Sequence, residues 1–242
     1  MTTALLIHSG GFTSRQWRKL SELLAPHYDV LAPDLLGYGT RGSWPEGEPF
    51  HFRQDVDLLE SLLSEPAHLV GHSYGGFLAL QLALRRPDLV RSIAVYEPVA
   101  FGILDEEERD ALRDVKRTFD DPEAWLRAFV EWWNGQGAWE RLNEETRGSF
   151  RAVGWKLFQE VMTLGADTTD RATYATIAAP ALIMGGELSP WTERRVVEKL
   201  GAALPRATAR FFPGVGHMGP ISHAPLINEA IAAHVGRASA RR

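Results

Sequence analysis

Short apolar runs alternate along the chain with segments whose apolar positions recur at helical spacing. The runs are Ala4–His8, Tyr28–Pro33, Ala67–His72, Val90–Glu97, Pro180–Gly185 and Ala207–Phe212, and each predicts a strand. The intervening pattern predicts helices over Ser14–Leu24, Phe52–Leu63, Tyr74–Arg86, Glu193–Leu204 and Ala224–Val235. Each helix links two strands or closes the last one, which is the arrangement of βα units on a mostly parallel, doubly wound sheet. The alternation breaks between Phe101 and Thr176, where helical segments follow one another without a convincing strand. The expected organisation is therefore an α/β core from residues 1–100 and 177–242, carrying a helical cap from residues 101–176. The closing "RASARR" reads as a frayed, solvated tail.

Composition narrows the function classes. The 242 residues are 45% hydrophobic and 24% charged, an ordinary soluble mix, and the length suits one large domain with an insertion. A formal net charge of -5 argues against an electrostatic grip on nucleic acid. With no Cys, disulfides, thiolate metal sites and a cysteine nucleophile are excluded. "MTTALLIHSGG" lacks the basic stretch and long apolar core of a secretory signal. No apolar run approaches the roughly 18–20 residues of a membrane span, so a soluble cytoplasmic protein is expected. Neither metal-site spacing nor a phosphate-binding glycine loop is present, and no cofactor is expected.

The chemistry centres on "VGHSYGG", Val70 to Gly76. Ser73 lies where an apolar run meets a helix, with Gly71 two residues before it and Gly75 two after, the G-x-S-x-G context of a nucleophilic serine on a sharp turn. So tight a turn strains the serine backbone and admits only small neighbours. Its Oγ would stand above a helix N-terminus, where developing negative charge is favoured.

"HSGG" after the first strand, "GHSYGG" in the middle and "GVGHMGP" near the end, in that order, resemble the α/β-hydrolase fold superfamily, serine hydrolase type with a helical lid. The similarity covers nearly the whole chain. It implies that His217 is the general base for Ser73. His72 is expected to point away from the nucleophile, His8 to shape the oxyanion loop, and His223 to lie on the surface. The resemblance further implies an oxyanion hole made by the N–H of Tyr74 and that of Gly10, with Gly11 the second choice. A serine, Ser9, stands where the family's loop usually has its first glycine.

The acid departs from the family pattern. The family usually supplies it as Gly-Glu-x-Asp after a late strand, but here "MGGELSPW" places Ser189 where the aspartate should be. Some members carry the acid after the strand that follows the nucleophile helix. Glu97, in "VYEPVAF" with Pro98 fixing the turn, is then the leading candidate. Glu187, Asp167, Asp170 or no acid at all are the alternatives, and Asp34 reads as a turn residue. Family members also commonly begin with two antiparallel strands that this chain lacks before Ala4–His8. A sheet shortened at that end leaves Tyr28–Pro33 at an edge, with homodimerisation through it possible.

The cap is rich in aromatics, which either pack it onto the core or line a pocket facing Ser73, and both can hold. Trp132, Trp133, Trp155 and Met218 are the candidate lining residues. Together these features imply a serine hydrolase acting through an acyl-enzyme on a small carboxylic ester, lactone or thioester, such as a carboxylesterase-like enzyme. The resemblance also implies that haloalkane dehalogenases and epoxide hydrolases of this fold need aspartate at the position of Ser73, so serine argues against both. A carbon–carbon bond hydrolase, an acyltransferase and a non-catalytic small-molecule binder are the alternatives.

Overall fold

Every apolar run becomes a strand in the computed structural model, which describes residues 1–110, 112 and 119–240. The strands are β1 (Thr3–Ile7), β2 (Asp29–Leu31), β3 (Ala67–His72), β4 (Val90–Tyr96), β5 (Ala181–Gly186) and β6 (Ala207–Phe212). They form one sheet in the order β2-β1-β3-β4-β5-β6, and every adjacent pair is parallel. β2 lies at one edge.

Successive side chains of a strand point to opposite faces, and the two cores follow that alternation. Leu5, Ile7, Leu69, Ile93, Val95 and Ile183 pack on one face beneath α2 (Phe52–Ser61), α3 (Tyr74–Arg85) and α9 (Trp191–Ala203). Ala4, Leu6, Val70, Ala94, Leu182 and Met184 pack on the other beneath α1 (Arg18–Leu24) and α11 (Ala224–Ala240).

Two of the differences from the sequence reading change a structural assignment. The segment Ser14–Leu24 is not one helix: its first turn, Ser14–Trp17, is 3-10, and α1 starts at Arg18. The "RASARR" stretch is not a frayed tail up to Ala240, because α11 continues through it. Ser239 Oγ lies 3.1 Å from the Tyr28 hydroxyl and 3.0 Å from His68 Nε2, so tertiary hydrogen bonds hold the last turn down. Arg241 and Arg242 lie outside the described residues.

Between β4 and β5 the described residues form helices: α4 (Glu106–Asp110), α5 (Pro122–Asn134), α6 (Ala138–Arg141), α7 (Glu144–Gly165) and α8 (Arg171–Tyr174). Asp121 caps α5 and Asn143 caps α7, each accepting the N–H three residues on. Trp125, Leu126, Trp139, Leu157 and Phe158 form a separate small core within this insertion. The last short helix is α10 (Gly219–Ser222). No described helix is long and apolar enough to cross a membrane.

Strand order reverses between β1 and β3, the β1–β2 connection running one way and later strands the other. In open α/β sheets the crevice at the strand C-termini beside such a reversal is the usual ligand position. The loops that follow β1 and β3 meet there.

Candidate active site

β3 ends at His72 and α3 begins at Tyr74, so Ser73 makes the whole reversal at φ 53 and ψ -116. Among the described non-glycine residues only Ser73 and Glu97, at φ 42, have positive φ. Conformations of this kind cost about 1–3 kcal/mol each and persist where the surroundings enforce them. For Ser73 the enforcement is visible: its N–H donates to the Tyr96 carbonyl at 2.9 Å, and its carbonyl accepts from Phe77 at 3.0 Å. The flanking glycines answer to close backbone contacts. A Cβ on Gly71 would lie 2.3 Å from the Gly75 carbonyl oxygen. One on Gly75 would lie 2.3 Å from that of Ile7 and 2.4 Å from that of His8.

Ser73, His217 and Glu97 are brought together in a row. His217 Nε2 lies 3.1 Å from Ser73 Oγ, and His217 Nδ1 lies 2.7 Å from Glu97 Oε2. All three are buried. The other Glu97 oxygen, Oε1, accepts from the Gly186 N–H at 2.6 Å and the Ser189 hydroxyl at 2.5 Å. Thus the serine found where the family pattern has aspartate is a donor to Glu97. Glu187 is exposed, Asp167 bonds Thr169 within the insertion, and Asp170 caps α8, so none of them meets His217. Asp34 accepts from Ser14 N–H and from both Thr40 N–H and hydroxyl, pinning the loop after β2. His223 is exposed beside Ser222.

The remaining histidines organise the backbone. Burial lowers the His8 pKa to about 4, keeping the ring neutral at pH 7. Its Nδ1–H donates to the Ser9 carbonyl at 2.8 Å and its Nε2 accepts from Leu35 at 3.0 Å. Burial likewise holds His72 well below the usual range. The Gln16 amide donates to His72 Nδ1 at 3.1 Å, which leaves the His72 Nε2–H to donate to the His217 carbonyl at 2.9 Å. Gln16 also accepts the Ser9 N–H at 3.0 Å. Gln16 therefore ties the loop after β1 to His72, and through it to the backbone of His217, a link that no local sequence pattern signals.

Ser9, Gly10, Ser73 and Tyr74 border a cavity of about 460 Å³ beneath the helical insertion. Gly11 differs from the expectation for a second oxyanion donor: its N–H donates to the Tyr38 hydroxyl at 3.2 Å. Ser9, Gly10 and Phe12 of this loop border the cavity, and the Ser9 and Phe12 N–H groups are taken by Gln16 and by the Ser9 carbonyl. Trp132, Trp133 and Met218 line the space, together with Trp125, Phe129 and Phe150. Trp133 stacks on the His217 imidazole, centroids 4.0 Å apart and planes at 21°. Trp155 does not join them. Its indole N–H donates to the Glu48 carbonyl at 2.9 Å and its ring packs on Phe119 and Phe158.

A buried ionic cluster supports the same wall. Lys156 and Glu160 on α7 pair at 2.6 Å, and Lys156 also reaches Asp55 at 3.0 Å. Asp55 further accepts from the Tyr74 hydroxyl and the Leu36 N–H, both at 2.9 Å. Burial pushes the Glu160 carboxyl up to about 7, against the pull of Lys156. By spacing, Lys156 and Glu160 resemble an ordinary exposed i,i+4 pair. The available signal is that Glu160 falls in the stripe of Leu157, Val161 and Leu164, where an apolar residue is expected.

The chain has relatives among known proteins. Residues 4–230 match the family described as the alpha/beta hydrolase family. A haloalkane dehalogenase of Bradyrhizobium diazoefficiens is 26% identical over 98% of this chain and 88% of its own. A pimeloyl-[acyl-carrier protein] methyl ester esterase of Chromobacterium violaceum is 26% identical over 96% and 93%. The structure of MenH from S. aureus superposes with a TM-score of 0.79 at 19% identity, covering 98% of this chain and 94% of that one, a likeness of fold.

Proposed function

The chain belongs to the alpha/beta hydrolase family, and we propose that it is a serine hydrolase cleaving a small carboxylic ester, lactone or thioester through an acyl-enzyme. The observation that carries this reading is the unbroken row Ser73 Oγ, His217 and Glu97, opening into an aromatic cavity.

In the proposed cycle Ser73 Oγ attacks the acyl carbon while His217 Nε2 takes its proton. The carbonyl π pair moves onto oxygen, where the N–H groups of Gly10 and Tyr74 receive the charge. Collapse of the tetrahedral intermediate breaks the bond to the leaving alkoxide or thiolate, which takes the proton from His217. Water then gives a proton to the same Nε2 and attacks the acyl-enzyme. As the acid departs, Ser73 regains its proton. Throughout, Glu97 holds the His217 proton on Nδ1, so that Nε2 faces serine as a base.

The nucleophile's element type supports acyl chemistry over displacement at an alkyl carbon. Serine attacking an alkyl halide would form an ether, which water cannot open as it opens an ester. Intact-mass analysis after fluorophosphonate treatment tests the proposal without knowledge of the substrate. One adduct is expected on wild type and none on Ser73→Ala. No adduct on folded wild type would overturn it.

A further inference from the structure

Three aromatic side chains of α5, each about one helical turn from the next, border the cavity above Ser73: Trp133, Phe129 and Trp125. Trp133 lies on the His217 imidazole, centroids 4.0 Å apart. Phe129 meets Trp133 at 6.2 Å with planes at 71°, and Trp125 lies nearly parallel to Phe129 at 5.4 Å and 14°. The rings therefore form one ladder that starts on His217 and climbs into the insertion. From α7, Phe150, Leu157 and Val161 line the same space.

Direction, charge and size define what the ladder takes. A leaving group must depart beside His217 Nε2 to be protonated there, so Trp133 and Met218 border that part. Phe129 and Trp125 stand about 6 and 12 Å further along the helix axis, which leaves their stretch of the cavity to the acyl part. Among the described residues, Glu160 is the one acidic or basic side chain of the wall besides His217. Its side chain is 2% exposed, and Lys156 at 2.6 Å and the Tyr38 hydroxyl hold its carboxyl. No described Lys or Arg lines the cavity, so a charged substrate group would lose its water and gain no partner. At about 460 Å³ the space lies toward the lower end of small-molecule pockets, roughly 300–1,000 Å³, and suits one ring on a short link.

We infer that the acyl part of the substrate is an uncharged arylalkanoyl group, its ring lying along Phe129 and Trp125 and joined to the carbonyl by a short alkyl link; this rests on the serine-hydrolase reading above. An aliphatic group of the same volume buries a similar area. Only an aromatic ring adds the quadrupole attraction of edge-to-face or offset contacts with those side chains. Phe129 thereby sets specificity at a distance from the reacting atoms.

The test compares kcat/KM for four esters, followed by acid release. Methyl 3-phenylpropanoate is expected to exceed methyl 3-cyclohexylpropanoate by about two- to tenfold, the worth of aromatic contacts beyond buried area. It is expected to exceed its isomer 2-phenylethyl acetate, which carries the ring on the leaving side, by about tenfold or more. Methyl 3-(4-carboxyphenyl)propanoate should be worse by about a hundredfold or more, because its carboxylate would be buried unpaired. In Phe129→Leu that still labels with fluorophosphonate, the phenyl-to-cyclohexyl ratio is expected to fall to about 1. A wild-type ratio near 1, an equal or better rate on 2-phenylethyl acetate, or a carboxylated ester within about tenfold of its parent overturns the inference. So does a labelled wild type that cleaves none of the four, or a ratio that Phe129→Leu leaves unchanged. The wild-type comparisons stand whether or not the variant folds. Folded wild type that takes no fluorophosphonate adduct defeats the hydrolase reading instead.

Discussion

Replacing Glu97 by Gln keeps the shape of the row and changes where one proton sits. Oε1 of Glu97 receives two donors, the Gly186 N–H at 2.6 Å and the Ser189 hydroxyl at 2.5 Å. The glutamine carbonyl must therefore take the place of Oε1, which turns the amide NH2 toward His217 Nδ1, 2.7 Å from the present Oε2. Two donors cannot share that contact, so Nδ1 must accept and the ring proton moves to Nε2. Nε2 then faces Ser73 Oγ with a hydrogen and cannot act as its base. In the serine protease template the same forced tautomer lowers kcat by about 10⁴. That corresponds to about 5.5 kcal/mol of barrier. The assay is steady-state hydrolysis of a p-nitrophenyl ester at saturation, with KM expected to change little. Exposed Glu187, changed to Gln, should stay within about twofold, since it touches no member of the row. Ser189→Ala removes one of the two donors on Oε1 and should lose about three- to tenfold. If Glu97→Gln keeps kcat within about tenfold of wild type, or Glu187→Gln loses as much, the assignment of Glu97 is wrong.

Trp133→Leu removes the ring stacked 4.0 Å from His217, and with it the attraction to an imidazolium that forms as serine is deprotonated. At about 1–2 kcal/mol, kcat should fall about five- to thirtyfold, and an unchanged kcat would refute that contribution. Gly75→Ala drives a Cβ to 2.3 Å from the Ile7 carbonyl oxygen, so denaturant titration should show a loss of several kcal/mol, about 3 or more; near-native stability would mean the turn can shift. Glu160 and Glu193, both raised to about 7 by burial, bind a proton more tightly folded than unfolded, so stability falls as pH rises from about 4.5 to 7. Glu160→Gln should therefore stabilise the fold relative to wild type at pH 8 by up to about 3 kcal/mol, seen as a higher melting temperature, and the gain should vanish near pH 5. An equal effect at both pH values would contradict the raised pKa.

The strands were legible because each is a short apolar run between turn-forming residues, and packing on both faces of the sheet demands such runs. Ser73 was legible because Gly71 and Gly75 record backbone contacts that tolerate no Cβ. The extension of α11 to Ala240 was not, since it depends on Ser239 meeting Tyr28 and His68, far away in sequence. Among the cap aromatics, composition could not separate Trp133, which stacks on His217, from Trp155, which bonds Glu48; helix phase and cap orientation decide that. Gln16 and Glu160 stayed hidden for a related reason. Their importance lies in which buried polar atoms they meet, and no local pattern encodes the partner.

Ser189 can look like the remnant of a lost aspartate, but its surroundings support the role proposed for Glu97. Its hydroxyl sits 2.5 Å from Glu97 Oε1 in a buried site. A carboxylate at position 189 would crowd a second negative charge against the first, and one of the two would have to take up a proton. Glu97, for its part, holds a positive φ of 42, a conformation that costs free energy and that a spacer residue after β4 has no need to adopt. Its N–H donates to the Met184 carbonyl at 2.8 Å while its side chain takes the Gly186 N–H, so main chain and carboxylate both clamp to the end of β5. A protein that had merely lost its acid would have no reason to keep a strained, fully buried glutamate aimed at His217. The strained backbone, the donor serine and the neighbouring strand end make sense together if, as proposed, the acid of the row stands at the end of β4 and Ser189 supplies a hydrogen bond to it.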